Sequence, residues 1–375
     1  MKTLFFYGTL AYRPLLELVL GRQLDAQNVT PATLDNHAVY WVKGQAYPMI
    51  LEQSDSQAFG LLVTGLSDQD VARLNFYEGG FEYELRQKEI QSTHGLQISN
   101  VYYPTGISEH GAPWQLEDWV ENWGELTLQA AKEAMGYFGH IKAADLAHRF
   151  PAIRRRAASY IRGKSTSRRP ASGVAHTEED VSVQSTHMAY SHFYAMQAYD
   201  IRYRQFNGEM GEVLDRATFV GFDVSIVLPY DPVRDRVLLV EQFRLGPYAR
   251  GAQYPWVLEP VAGHVDVGET PEQAARRETF EETGLELIDL LLITETYPSP
   301  GASSEFYHIY LGLCDIGGVD ETVTGLDSEA EDIRSHILSF EQLMTFVDGG
   351  EANVLPLVMA ANWLARNRQR LRSGD

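Results

Sequence analysis

The chain has 375 residues, 44% hydrophobic and 22% charged, a balance that excludes a largely disordered polymer and, at this length, favours two cores over one. Lys and Arg number 31 against 51 Asp and Glu, a net charge of −20 that argues against general binding to nucleic acid or an anionic membrane. The single cysteine, Cys314, excludes an intrachain disulfide and a cysteine-built zinc site.

No apolar run reaches the ~18 residues of a membrane span. The opening Met1-Lys2-Thr3-Leu4-Phe5-Phe6 lacks a long apolar signal segment, so a soluble cytoplasmic protein is expected. Strands are predicted at 4–7, 38–42, 58–63 and 98–103, with a helix over 66–74 that starts on a Ser67 cap. The pattern turns helical from 116 to about 158, and Pro151 is expected to start or break a helix there. The basic, Ser/Gly/Pro-rich run at 162–173 reads as a linker. A second unit follows, with strands at 218–227, 236–243 and 306–313 and helices near 271–283, 339–347 and 355–367. The expected domains are 1–110, a helical connector and linker at 111–184, and 185–375.

Two short motifs carry little. Gly163-Lys164-Ser165 lacks the glycine that a phosphate loop needs five positions earlier, where Ala158 stands, so the surrounding arginines read as a solvated helix face and linker. Asn28-Val29-Thr30 fits a glycosylation sequon, without meaning in a chain read as cytoplasmic.

The segment from Gly263 to Leu285 is the informative one. Thr270 suits an N-cap, Pro271 the first helical position, Gln273 the reciprocal side of a capping box, and Gly284 a C-terminal stop. The helix so bounded carries Glu278, Glu281 and Glu282 at i, i+3 and i+4 on one face. From charge spacing alone two readings stand: a solvated acidic face with Arg277 paired to Glu281, or carboxylates gathered for a hard divalent cation.

The full spacing favours the second. Gly263, five residues, Glu269, seven residues, Arg277-Glu278, two residues, Glu281-Glu282, one residue, Gly284-Leu285 is similar to the signature of Nudix hydrolases. Thr279 departs from it, at a position usually aliphatic. Trp256-Val257-Leu258-Glu259-Pro260-Val261-Ala262-Gly263, Ser299-Pro300-Gly301 and Glu329-Ala330-Glu331-Asp332 resemble the ADP-ribose pyrophosphatase branch, as does Pro300, sixteen residues after Gly284. The resemblance implies an α/β/α sandwich, a homodimer formed partly through the first strands of this domain, and hydrolysis of ADP-ribose or another nucleoside diphosphate derivative. It implies Mg²⁺, with Mn²⁺ as the alternative, held by the Ala262 carbonyl, Glu278, Glu282 and Glu331, and Glu329 as general base. Arg244 would meet phosphate, Phe193 and Tyr194 would stack the base across the dimer, and Arg216, Ser299, Gly301 and Glu305 would contact substrate. A nucleotide sensor without turnover is the alternative from another class.

At the other end, Tyr7-Gly8-Thr9-Leu10 follows a predicted strand, and Glu78 lies among Phe76, Tyr77, Phe81 and Tyr83, where burial raises a carboxylate pKa. By the residues alone, Glu78 also fits an exposed loop before a Gly-Gly turn. Together the two segments resemble the gamma-glutamylcyclotransferase family. That implies a small mixed barrel, a 7–10 loop that holds the glutamyl carboxylate, and Glu78 as acid/base. Leu85 replaces an arginine often found there, so a folded but inert domain is expected. The fold class expected overall is α/β: this mixed barrel, the helical connector and the Nudix α/β/α sandwich.

Overall fold

The computed structural model describes residues 1–79, 83–106, 109–166, 176–317, 323–324 and 331–373. They fall into two compact units, 1–168 and 169–375.

The first unit runs β1 (Lys2–Phe6), α1 (Arg13–Leu20), β2 (Val29–Val42), β3 (Pro48–Leu66), α2 (Asp68–Glu78), β4 (Tyr83–Ser92), β5 (Gly95–Pro104), β6 (His110–Pro113), α3 (Leu116–Trp119), a π-helical turn, α4 (Glu125–Gly136) and α5 (Ala143–Ser165). The strands pair in the order β3-β1-β5-β4-β2, and β2 pairs back to β3, so five strands close a barrel while β6 extends β2. Only the β1–β5 pair within that ring is parallel. The apolar opening run makes sense in that position. Phe5 and Tyr7 join Leu34, Ile50, Leu62, Ile90 and Val101 in one core, while Leu4 and Phe6, on the opposite face, are buried as well.

Ser67 caps α2 as expected: its hydroxyl accepts from the Asp70 amide, and the Asp70 carboxylate reaches back to the Ser67 amide. α1, α2, α4 and α5 pack on one another within the same unit. The expectation for Pro151 needs correction: it lies inside α5 and does not start or break a helix. A proline there removes one helical hydrogen bond and crowds the preceding turn. The helix continues because Leu146, Ala152, Ile153 and Ala157 bury its face on both sides of the proline.

The second unit runs β7 (Val181–Ser191), β8 (Ala195–Tyr203), β9 (Leu214–Val220), β10 (Asp223–Asp231), β11 (Arg236–Phe243), α6 (Leu245–Ala249), β12 (Trp256–Glu259), β13 (Val261–His264), α7 (Pro271–Thr283), β14 (Asp289–Thr296), β15 (Phe306–Leu313), β16 (Val323–Thr324), β17 (Ile333–Ser339), α8 (Phe340–Asp348) and α9 (Leu355–Ser373). β7, β8 and β9 form an antiparallel sheet. The larger sheet has the path β14-β15-β10-β11-β17-β16, with β12 on β11 and β13 on β10; β10 and β15 are parallel.

Alternation along its central strands sorts the core into two layers. Ile226, Leu228, Tyr230, Val237 and Leu239 pack with Leu343, Leu357, Ala360 and Leu364 of α8 and α9. Val227, Leu238 and Val240 point the other way, onto Ala275 of α7, Val261 and Leu285. A sheet covered by helices on both faces is the expected sandwich.

The strand expected at 218–227 is two strands in two sheets. The break falls at Gly221-Phe222. A Cβ on Gly221 would stand 2.1 Å from the Glu305 Cγ, so glycine there admits the Glu305 side chain, while Phe222 is buried. An apolar run read by periodicity does not register such a break.

Candidate active sites

In the second unit the capping devices of α7 form as the sequence predicts. The Thr270 hydroxyl accepts from the Gln273 amide, the Gln273 side chain accepts from the Thr270 amide, Pro271 opens the helix, and Gly284 ends it at φ 71°. The caps fix the ends of the helix, and the burial of Ala274, Ala275 and Thr279 on one face turns Glu282 inward with them. Glu282 is 2% exposed. Thr279, the departure from the aliphatic pattern, is fully buried, and its hydroxyl donates to the Ala275 carbonyl at 2.7 Å, so its polar atom is satisfied within the helix.

Arg277 organises the acidic neighbours. Its guanidinium forks onto Glu269 at 2.8 and 2.9 Å, reaches Glu278 at 2.7 Å and Glu281 at 3.0 Å, and donates to the His264 carbonyl at 3.1 Å. The Arg277–Glu281 pair of the simpler reading exists, yet it coexists with the buried Glu282. Those hydrogen bonds, to Glu269 above all, drive the Arg277 pKa upward. Gly263, on β13 beside Ala262, has its own steric reason: a Cβ there would lie 1.9 Å from the Glu278 carboxyl carbon.

Burial pushes Glu282 well above the usual carboxylate range, and the charges of Glu278 and Glu331 push it further. A carboxylate sunk among carboxylates is stabilised by a hard cation, and all its oxygen donors are of the type that Mg²⁺ takes. The donors are thus of the right chemical kind for a divalent ion, while among the described residues no three Asp, Glu, His or Cys side chains already stand together as a set that could hold one.

Around this cluster the structure brings together several residues named from the sequence. Arg244 donates through Nε to Glu259 at 2.7 Å, and among the described residues no acceptor engages its two Nη groups. Arg244 and Glu259 both influence Glu282. Glu305 accepts from the Ser303 hydroxyl at 3.3 Å, and burial raises its pKa. Glu305 and Arg244 also act on Tyr194 and Tyr307, so these groups share one region. Phe193 and Tyr194 occupy the β7–β8 turn, each 42% exposed; Phe193 packs edge-on to Phe222 and His264.

Ser299 and Gly301 lie in a turn where the Ser299 carbonyl accepts from the Ala302 and Ser303 amides. Arg216 stands exposed on β9 and donates to the Asp215 carbonyl; among the described residues it makes no contact with the helix carboxylates. Glu329 lies outside the described residues. Sequence reasoning missed Glu259 and Tyr307 as members of this site. The available signal was Glu259 itself, an acid in an otherwise apolar strand.

In the first unit one cavity gathers the residues singled out there. Tyr7, Gly8, Thr9, Leu10 and Glu78 line it together, with Tyr83 and Tyr102. Glu78 is the last residue of α2, and burial pushes its pKa up to about 7. Among the described residues no hydrogen bond or ion pair reaches its carboxylate. Burial also keeps the phenols of Tyr7, Tyr77, Tyr83 and Tyr102 protonated. Leu85, the ground for expecting inertness, is 39% exposed on β4 and does not line the cavity.

Comparison with known proteins matches each unit. The NUDIX domain profile covers residues 221–358, and the gamma-glutamyl cyclotransferase, AIG2-like profile covers residues 4–121. The ADP-ribose pyrophosphatase of Escherichia coli (strain K12) is 36% identical over 200 residues, 53% of this chain and 95% of that protein. The GDP-mannose pyrophosphatase of Salmonella paratyphi B is 32% identical over 170 residues, 44% of this chain and 84% of that one. A solved structure titled as that of an ADP compounds hydrolase aligns with a TM-score of 0.39 at 17% identity, over 52% of this chain and 98% of its own. Among the described residues no helix is long and apolar enough to cross a membrane.

Proposed function

The chain belongs to the Nudix family, and from that premise we propose that its second unit is a pyrophosphohydrolase that splits ADP-ribose into AMP and ribose 5-phosphate. The observation that carries this reading is the burial of Glu282 against the charges of Glu278 and Glu331, with Arg244 at the edge of the cluster. Mg²⁺, or Mn²⁺ in its place, would be held by Glu278, Glu282, Glu331 and the Ala262 carbonyl, where it supplies charge neutralisation for an anionic pyrophosphate. The protein's own groups do the rest. Arg244 offers its Nη pair to phosphate oxygens while Glu259 fixes the guanidinium through Nε. Phe193 and Tyr194 offer half-exposed rings for the base. Glu329 takes the proton from the attacking water.

A homodimer through the β7–β9 sheet belongs to the same reading, supported by the exposed Val181, Val183, Tyr190 and Tyr203 on it. The test is turnover of ADP-ribose, other ADP-sugars and GDP-mannose by the full chain with Mg²⁺, products resolved by chromatography. Cleavage of another sugar nucleotide in preference to ADP-ribose replaces the substrate; cleavage of none favours a nucleotide sensor.

For the first unit a second reading is favoured by the convergence of Glu78 and the 7–10 loop on one cavity. We propose that it cyclises γ-glutamyl compounds. The substrate's α-amine attacks its γ-carbonyl, a C–N bond forms, and Glu78 carries the proton from that amine to the departing amine as the old amide bond breaks. The products are 5-oxoproline and the free amine. Metal-independent release of 5-oxoproline that disappears in Glu78→Gln supports this; no release from any γ-glutamyl compound returns the domain to the inert appendage expected from its sequence.

A further inference from the structure

The cavity of the first unit holds a charge that the chemistry above leaves unused. Arg154 stands on α5, beyond residue 121 where the cyclotransferase match ends. It lines the cavity with Glu78, Tyr47, Tyr77 and Phe150. Among the described residues no carboxylate pairs with its guanidinium and no acceptor hydrogen-bonds to it. Its ring partner is Trp123, with the guanidinium carbon 5.6 Å from the ring centroid. Half-buried Arg154 contrasts with Arg156, two residues on, which is fully buried and forks onto Glu133 at 2.6 and 3.1 Å. Burial lowers the Arg154 pKa, as expected of a cation withdrawn from water without a counter-ion. An uncompensated guanidinium facing a cavity is stabilised by an anion that enters it.

We propose that Arg154 binds the carboxylate of the amino acid released from a γ-glutamyl substrate, which makes α5 part of the binding site and selects substrates whose departing amine carries that carboxylate. This rests on the reading of the cavity as a γ-glutamyl site. One guanidinium matches the two oxygens of a carboxylate in a planar fork. A phosphate dianion would leave its second charge facing Glu78 in the same cavity. The 7–10 loop is left to the glutamyl carboxylate, and the rings of Tyr47, Tyr77 and Phe150 suit an organic body between two polar ends.

The test is calorimetric binding of L-γ-glutamyl-L-alanine and of its C-terminal amide to the full chain, wild type, Arg154→Gln and Arg154→Lys, with melting curves to verify folding. Wild type is expected to prefer the acid over the amide by about tenfold or more, the scale of one charge-assisted hydrogen bond. Arg154→Gln should lose that preference with amide affinity kept, and Arg154→Lys should recover part of it. Equal binding of the acid by wild type and Arg154→Gln overturns the role of Arg154 while the γ-glutamyl reading stands. An equal loss for acid and amide in Arg154→Gln overturns it as well, since Arg154 then reads something other than that carboxylate. Binding of neither compound by wild type sinks both.

Discussion

Glu78 and Glu282 are both glutamates withdrawn from water, one in each unit, and their surroundings are opposite. Glu282 sits among other carboxylates, so its acidity is weakened by burial and by the repulsion of Glu278 and Glu331 together. Glu78 sits among tyrosines, and burial alone weakens it. The first arrangement accumulates negative charge, which a cation would relieve. The second holds a single proton near neutrality and suits transfer of that proton. Two glutamates raised in the same direction would thus serve the two kinds of chemistry proposed, and the difference lies in what surrounds the carboxylate.

Crossed substitutions break or sharpen that contrast most strongly. Glu282→Gln keeps the side-chain size and removes a charge from the cluster. Sugar-nucleotide turnover should fall about a hundredfold or more while 5-oxoproline release stays near wild type. Glu78→Gln should do the reverse. Measuring both activities in both variants is decisive: if either substitution lowers both, the two sites are not independent.

A pH comparison tests the single-proton picture. The folded state holds the Glu78 proton up to about 7, whereas the unfolded chain releases it near the ordinary glutamate value, about 4.3. The folded state therefore binds more protons between these values, and stability from this group is lost as pH rises through that window, then levels off. Glu78→Gln removes the effect. It should be more stable than wild type at pH 8, by up to about 4 kcal/mol, and no different near pH 4, by denaturant unfolding of the first unit. 5-Oxoproline release should rise with pH through about 7 as the base loses its proton.

The second unit contains its own control for charge crowding. Arg277→Met removes the cation shared by Glu269, Glu278 and Glu281 and should destabilise that unit by about 2–3 kcal/mol in denaturant melts. Thr279→Val removes one hydroxyl that is satisfied within its own helix and should cost about 1 kcal/mol or less. A larger loss for Thr279→Val than for Arg277→Met would show that packing beneath α7, not its charge network, holds the helix in place.

Much was legible in the chain where the determinants are local. Thr270, Pro271, Gln273 and Gly284 bound α7 because caps act within one helical turn. The spacing of Gly263, Glu269, Arg277, Glu278 and Glu282 identified the family because each residue answers a contact on or beside that helix. The Gly263 backbone against Glu278 and the fork of Arg277 on Glu269 are two such contacts. Apolar runs located the central strands of both sheets, since each is buried on two faces.

What the sequence left open depends on partners far apart in the chain. Whether Glu78 is exposed or enclosed is decided by β1, β4, β5 and α5 meeting around it, as Tyr7, Tyr83, Tyr102 and Arg154 share its cavity. The helical stretch after residue 116 read as a connector carrying a solvated basic face. In the structure α4 and α5 pack within the first unit, α5 runs through Pro151, and Arg154 turns into the cavity. The break between β9 and β10 falls at Gly221, whose missing Cβ leaves room for Glu305, 84 residues further along the chain. Caps, spacing and periodicity are properties of neighbouring residues and are written in the sequence, whereas enclosure arises only when distant segments close on one another and remove the water between them.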